Sequence, residues 1–418
     1  MQPATQQEIQ QEIQQKRQHA RLEHTSFWIL PIIASLVAFG PLSTDMYLPA
    51  QITIKNEFNA SIDQIQLTLS IFLIGTSCAL PFWGPLADRF GRRIIMLIGI
   101  ALFVIASVGC ALSTSIEMLI GFRFLQAIGA CVGPIIGRTM VRDIYGFTES
   151  AKAFGYLSSI MALAPAIAPI LGGFLLMQFS WHAIFYSLTL IAIFCTTIYF
   201  FTIGETLKPE LRQSIKPEHI WFNYKSLGRD RVFISYSLIM SCIFSGLFSF
   251  ISAASFIFID FLKLSEQQFG FCFLGMVIGF ILGASNAARL SGRIAAHKII
   301  LTGIGLCSFA AMLCFTLAFF EIFHVLAVVI PIAIYAAGTG CVLPQCNAAS
   351  IRNFPHIAGT ASSLTGIIQN TLAASVGIGV AWFHQGTPLV MSLFLFMAAA
   401  LGFIFFRFLL PASEKQSI

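Results

Sequence analysis

Charge is what this chain has least of: Asp, Glu, Lys and Arg make up 10% of its 418 residues. Hydrophobic residues make up 57%, phenylalanine alone occurs 42 times, and the mean hydropathy is +0.83. A soluble chain of this length would fold as two or three domains, each needing a mixed charged surface, and the material for those surfaces is missing. Lipid is the solvent around most of it. Other absences narrow the function. No Gly-x-x-x-x-Gly-Lys-Ser/Thr phosphate loop occurs, which sets aside a nucleotide-driven pump. Neither His-Glu-x-x-His nor Gly-x-Ser-x-Gly occurs, and the eight histidines lie mostly near loops, which argues against an intramembrane enzyme. The ten cysteines all fall within apolar runs, without Cys-x-x-Cys pairing or His-rich metal spacing. They read as small buried hydrophobes, and no metal site is expected. The net charge of +6 does not mark a nucleic-acid partner, because the basic residues are scattered singly between apolar runs. The N-terminus, to about His24, lacks the apolar core and cleavage site of a secretory signal and reads as a cytoplasmic tail.

What is present is a series of apolar segments long enough to cross a bilayer. They fall at about 27–50, 65–85, 94–113, 117–140, 152–176, 182–203, 232–259, 267–289, 298–320, 324–350, 358–384 and 387–410. The expected fold is therefore an all-α integral membrane protein with twelve transmembrane helices. Sliding the chain by about 205 residues lays Arg93-Ile94-Ile95-Met96-Leu97 over Lys298-Ile299-Ile300-Leu301-Thr302, so the twelve divide into two pseudo-symmetric six-helix bundles. The organisation expected is a cytoplasmic tail (1–25), an N-terminal bundle (26–203), a cytoplasmic linker (204–231), a C-terminal bundle (232–410) and a second cytoplasmic tail (411–418). The linker is basic, and its Ile220-Trp221-Phe222 core suggests a short interfacial helix. With both termini inside, Lys55 and Lys263 are the only basic residues in outward-facing loops, which fixes the orientation. Trp28, Trp83, Trp181 and Trp382 lie near span ends, where amphipathic rings favour the headgroup zone.

Five features carry chemistry. Asp45, in Ser43-Thr44-Asp45-Met46-Tyr47, is the acid placed well within a span. An ionised carboxylate there costs about 3 kcal/mol, so it should face a cavity, find a cation or take up a proton. Arg123 lies at a similar depth on span four, in Arg123-Phe124-Leu125-Gln126-Ala127-Ile128-Gly129, and the two could meet as a proton-sensitive pair, with Gln126 adding a hydrogen bond. Met46, Tyr47 and Gln126 are expected to line the substrate cavity. The hinge Gly84-Pro85-Leu86-Ala87-Asp88-Arg89-Phe90-Gly91-Arg92-Arg93 lies between two spans and must be a turn at the membrane surface. There Gly84 would let helices approach, Asp88 could cap an incoming helix, and Arg92 could reach Asp143. Span five holds Pro165, Pro169, Gly172 and Gly173, small or helix-bending residues suited to close helix contact.

The hinge resembles the Gly-x-x-x-Asp-Arg-x-Gly-Arg-Arg loop of the major facilitator superfamily at every fixed position. With Ser43 to Ala50, the Arg123 motif, Val141-Arg142-Asp143 and the Pro165 to Gly173 run, the chain is similar, over about residues 27–410, to drug:proton antiporters with twelve spans, and more narrowly to the Bcr/CflA branch. It departs at Ala127 and Ala168, where glycine is usual, and at Ser255, where proline is expected. The resemblance implies a bacterial inner-membrane exporter of small drug-like or amphipathic compounds. Such a carrier would be driven by the proton gradient without a cofactor and would act as a monomer. Asp45 would be the proton-binding acid, Arg123 its partner, and Gly84, Asp88, Arg89, Arg92 and Asp143 the cytoplasmic gate. A dedicated exporter of one metabolite, such as a siderophore, fits the same residues.

Overall fold

The computed structural model describes residues 29–207, 212, 217–291, 293–354, 357–383, 386–411 and 414. The side chains of 146–152, 155, 156, 158–160, 162, 217, 219 and 220 are not part of that description. The N-terminal tail, Trp28, Lys208, Lys216 and Lys415 lie outside it. Among the described residues the chain is helical, without a strand; one isolated bridge joins Ser291 and Ile294. The helices are α1 Ile29–Val37, α2 Phe39–Asp45, α3 Gln51–Glu57, α4 Ile62–Phe90, α5 Arg92–Ala111, α6 Ile116–Ala130, α7 Val132–Gln178, α8 Trp181–Thr202, α9 Pro217–Arg229, α10 Arg231–Ser255, α11 Glu266–Leu290, α12 Ala296–Phe319, α13 Val325–Ile351, α14 Ala358–Trp382 and α15 Leu389–Ile404.

Ten helical stretches are long and apolar enough to span, and α1 with the segment Phe39–Glu57, bent by 43°, makes an eleventh. The remaining expected span is represented by a shorter apolar stretch, Leu163–Gln178. It is the C-terminal part of α7, whose 47 residues would reach about 70 Å if straight, more than twice the hydrocarbon thickness. Packing shows that the chain doubles back. Gly133 lies against the carbonyl of Leu36 and Gly172 against that of Met46. The two glycines are 39 residues apart, yet their partners are only 10 apart, so α7 turns between them and returns alongside the first span.

The duplication is written into local structure. Asn59 and Lys263 both adopt left-handed backbone, with φ of 49° and 57°. Two residues later, Ser61 and Ser265 each start a helix with a complete capping box, closed by Gln64 and Gln268. The offset is 204 in every case. Helix pairings repeat as well: α5 with α6, α4 with α6 and α5 with α8 in the first half correspond to α12 with α13, α11 with α13 and α12 with α15 in the second. The halves meet along α4 against α14 and α7 against α11, a pair of contacts that the same exchange maps onto each other. Gly270 packs on Ile170 and Gly173 on Glu266. With no hydrophobic drive between helices in lipid, such small-residue contacts supply the close packing.

Several side chains sit elsewhere than expected. Trp83 and Trp181 are not belt residues: both are buried, donating to the Ile128 carbonyl at 2.9 Å and to Glu57 at 2.7 Å. Trp382 is exposed, as a belt residue should be. Of the cysteines seven are buried and two half-buried, but Cys78 is exposed. The linker helix α9 presents Trp221 and Phe222 outward, while Leu227 packs with Phe233 and Ala361, and Tyr224 shares a hydrogen bond with Ser363.

Candidate functional site

The first span breaks where its chemistry lies. After α2 ends at Asp45, Pro49 supplies no amide proton, and Leu48–Ala50 form a short 3-10 turn before α3 begins. The Leu48 carbonyl accepts from the Gln51 amide and, at 2.6 Å, from Ser255 Oγ on α10. Ser255 thus fastens the end of the first span to the seventh across the two halves, a role that no sequence pattern announced.

Arg123 is fully buried and held from several sides. One terminal nitrogen donates to the Ser43 carbonyl at 2.9 Å and to Gln126 Oε1 at 2.8 Å, and Gln126 in turn donates to Ser107 at 2.8 Å. The guanidinium also lies over the rings of Tyr47 and Phe72, at 4.8 and 4.7 Å from their centroids. Its Nε and second terminal nitrogen have no hydrogen-bond partner; the ring faces stand where acceptors would. Tyr47 Oη accepts from Thr68 at 2.8 Å, which fixes the ring.

The expected pairing of Asp45 with Arg123 is not made. Asp45 is buried, 7% exposed, and accepts from Thr44 Oγ1 at 3.2 Å; among the described residues no cation lies within ion-pair distance of it. Helix phase is the reason. Ser43 and Tyr47, which meet Arg123, are four residues apart and share a face, so Asp45, midway between them, projects from the opposite side. Equal depth placed the two charges at one level without placing them on one side. Met46 is also buried, its carbonyl against Gly172.

The hinge is not a ten-residue turn: Gly84 to Phe90 continue α4, the chain turns at Gly91 and α5 starts at Arg92, with a charged cluster gathered at this junction. Arg92, 8% exposed, makes ion pairs with Asp88 and, at 3.4 Å, with Asp143, to which Thr206 also donates at 3.2 Å. The start of α5 is not capped by Asp88. Glu205, from the segment after α8, accepts from the amides of Arg92 at 2.8 Å and Arg93 at 3.2 Å. A carboxylate there answers the orphan amides and the positive end of the helix together. Gly91 turns the chain with φ of +108°, and a Cβ on it would strike the Glu205 carboxylate. Arg93 donates to the Phe200 carbonyl at 2.7 Å and stacks on that ring, while Arg89 is exposed beside Phe90. Gly84 does not mediate close packing here: a Cβ on it would meet nothing within 4 Å. Replacing Glu205 by Ala should cost about 1–2 kcal/mol, the range for a lost cap at a helix N-terminus. Thermal unfolding in detergent, with Glu205→Asp retaining part of the loss, checks it.

Fold and site together define a multi-pass α-helical membrane protein with ionisable groups inside its spans. Residues 33–378 match the Major Facilitator Superfamily, and the chain belongs to that superfamily. Among its relatives are a bicyclomycin resistance protein homolog from Haemophilus influenzae, 26% identical and covering 94% of this chain and 99% of the relative, and an uncharacterized MFS-type transporter from Bacillus subtilis, 32% identical over 90% and 93%. Multidrug resistance protein D of Escherichia coli is 26% identical over 84% of this chain and 86% of its own length. The crystal structure of a D-xylose-proton symporter superposes with a TM-score of 0.74 over 94% of this chain and 99% of that one, at 16% identity. At that identity the match shows the fold.

Proposed function

We propose that this chain is a proton-coupled secondary exporter of small drug-like or amphipathic compounds. The observation that carries the coupling is Asp45, a carboxylate buried within a span with a hydroxyl neighbour and, among the described residues, no cation within ion-pair distance. Such a group must take up a proton or wait for one while its surroundings are dry, and can release it when the surroundings become wet. A site that is loaded and unloaded as the protein changes conformation needs no bound cofactor, only a gradient. The substrate class rests on the relatives, two of which carry names that refer to resistance to bicyclomycin or to multiple drugs. Arg123 serves as the fixed strut of the N-terminal half: its ring cage and its bonds to Ser43 and Gln126 hold the broken first span against α4 and α6.

The bundles, in this reading, run 26–203 and 232–410, joined by a linker 204–231. Its α9 lies along the inner membrane surface through Trp221 and Phe222, with both termini in the cytoplasm of a bacterial cell and the carrier acting as a monomer. The test is proton movement on addition of substrate. In everted vesicles loaded with a pH-sensitive dye, ethidium or chloramphenicol should release protons when this chain is present and not in vesicles without it. Transport of either probe that is unchanged when nigericin collapses the pH gradient defeats the coupling.

A further inference from the structure

One charged side chain within a span has no task in this mechanism. Arg138 lies on α7, inside the spanning stretch Ile116–Tyr145. Its side chain is exposed, although the helix that carries it packs against α1, α5 and α8. Among the described residues it has neither an ion-pair nor a hydrogen-bond partner.

Its direction follows from its neighbours on the helix. Gly133 and Gly137 face α1, Val132 faces Gly99 of α5, Met140 accepts from Tyr199 of α8, and Asp143 meets Arg92. At about 100° per residue, every one of these contacts lies at least about 100° around the helix from Arg138. The guanidinium therefore points away from the helices of its own half. It sits five residues, or about 7 Å, deeper along the helix than Asp143. A permanent cation at that depth is excluded from lipid and is retained where it faces a water-filled cavity. Arg142, one turn along, is exposed on the same face, so positive charge lines the way in.

We infer that Arg138 is an anion-recognising residue of the substrate path, taking a carboxylate or a similar oxyanion on the transported molecule as its counter-ion. A guanidinium offers paired donors matched to the two oxygens of a carboxylate, and an unpartnered one leaves that fork free. The inference rests on the exporter reading for the path, but not on proton coupling, and it adds compounds that combine an apolar body with an acidic group to the substrate class.

Equilibrium binding to the purified, detergent-solubilised protein tests it without any gradient. The probes are 1-pyrenebutyrate and its uncharged amide, which share one ring system. The parent should bind the carboxylate at least about tenfold more tightly than the amide, as expected for hydrogen bonds to a charged group. Arg138→Gln should lower carboxylate binding to the level of the amide and leave amide binding unchanged. Arg138→Lys, which keeps the charge and needs no repacking, should retain a reduced preference. Arg142→Gln should leave most of it. Equal binding of the two probes by the parent, or binding of neither, overturns the assignment without any variant; so does a preference that survives Arg138→Gln, as it would if the side chain merely snorkels to the headgroups.

Discussion

Asp45→Asn is expected to insert, fold and stop gradient-driven export, with the transport rate falling at least about a hundredfold. The asparagine keeps the volume and can still accept from Thr44, so the packing around the break in the first span is undisturbed. It cannot gain or lose a proton. Because the carboxylate has no cation to leave behind among the described residues, the substitution should be neutral or mildly stabilising, unlike the removal of one member of a buried ion pair, which costs about 3–5 kcal/mol. Combining it with Arg123→Gln sharpens the test. Arg123→Gln removes a charge-assisted bond to Ser43, another to Gln126 and two ring contacts. Each such bond is worth about 1.5–3 kcal/mol and each ring about 0.5–2, against a desolvation penalty of several kcal/mol that the neutral side chain escapes. A net destabilisation of about 2–4 kcal/mol is expected. The two effects should add to within about 0.5 kcal/mol, as for residues without a shared contact. A coupling of 3 kcal/mol in unfolding measurements would mean that the two charges do meet, and wild-type export by Asp45→Asn would remove this residue from the coupling path.

The difference between the expected pair and the observed separation shows what a sequence carries at each scale. Long apolar runs, the charged hinge and the 205-residue repeat depend on composition over many residues, and the helices, their order and the pairing of the halves follow them. Depth was also legible, because rise per residue is constant. Azimuth was not: the backbone is helical from Phe39 to Tyr47, but which of its faces turns toward span four is set by tertiary packing, here the Ser43 carbonyl and the Tyr47 ring against Arg123. Glu205 escaped notice for another reason. It is more than a hundred residues from the amides it caps, and nothing local distinguishes it from any acid in a polar linker. Trp83 and Trp181 sit at span ends, where the headgroup zone and a buried acceptor are both available; only the tertiary neighbours Ile128 and Glu57 decide. The capping boxes at Ser61 and Ser265 were readable, whereas the left-handed backbone before them was not, since a lysine at 263 carries no signal for positive φ. Ser-x-x-Gln occurs twice at an offset of 204, a sharper mark of duplication than the five-residue match of Arg93 with Lys298. Arg138 was readable too, as an arginine between Gly137 and Thr139 within an apolar span.

Arg92→Ala is expected to open the face of the protein that we read as cytoplasmic. Arg92 is nearly buried between two carboxylates, and the side chains of Asp88 and Asp143 are 42% and 23% exposed. Removing the arginine leaves two like charges facing each other with no cation between them. For fully buried partners the cost would be about 3–5 kcal/mol, but solvent already screens both acids, so about 1–2 kcal/mol is the appropriate scale. That cost differs between conformations. An unpaired carboxylate is worse off where the inner ends of the halves close and exclude water than where they part, so the wetter, open state gains population. A bias of about 1 kcal/mol raises the ratio of open to closed about fivefold. Gly84 is a usable reporter position, since a Cβ added there meets no atom within 4 Å and disturbs no packing. With Cys78, Cys195 and Cys272 replaced by serine, a Gly84→Cys variant should react with a membrane-impermeant maleimide about fivefold faster when Arg92→Ala is also present. Arg92→Lys, which preserves the charge between Asp88 and Asp143, should bring the rate most of the way back. Equal rates in the parent and Arg92→Ala backgrounds would show that the cluster only joins α4, α5 and α7 to one another and has no part in the gate.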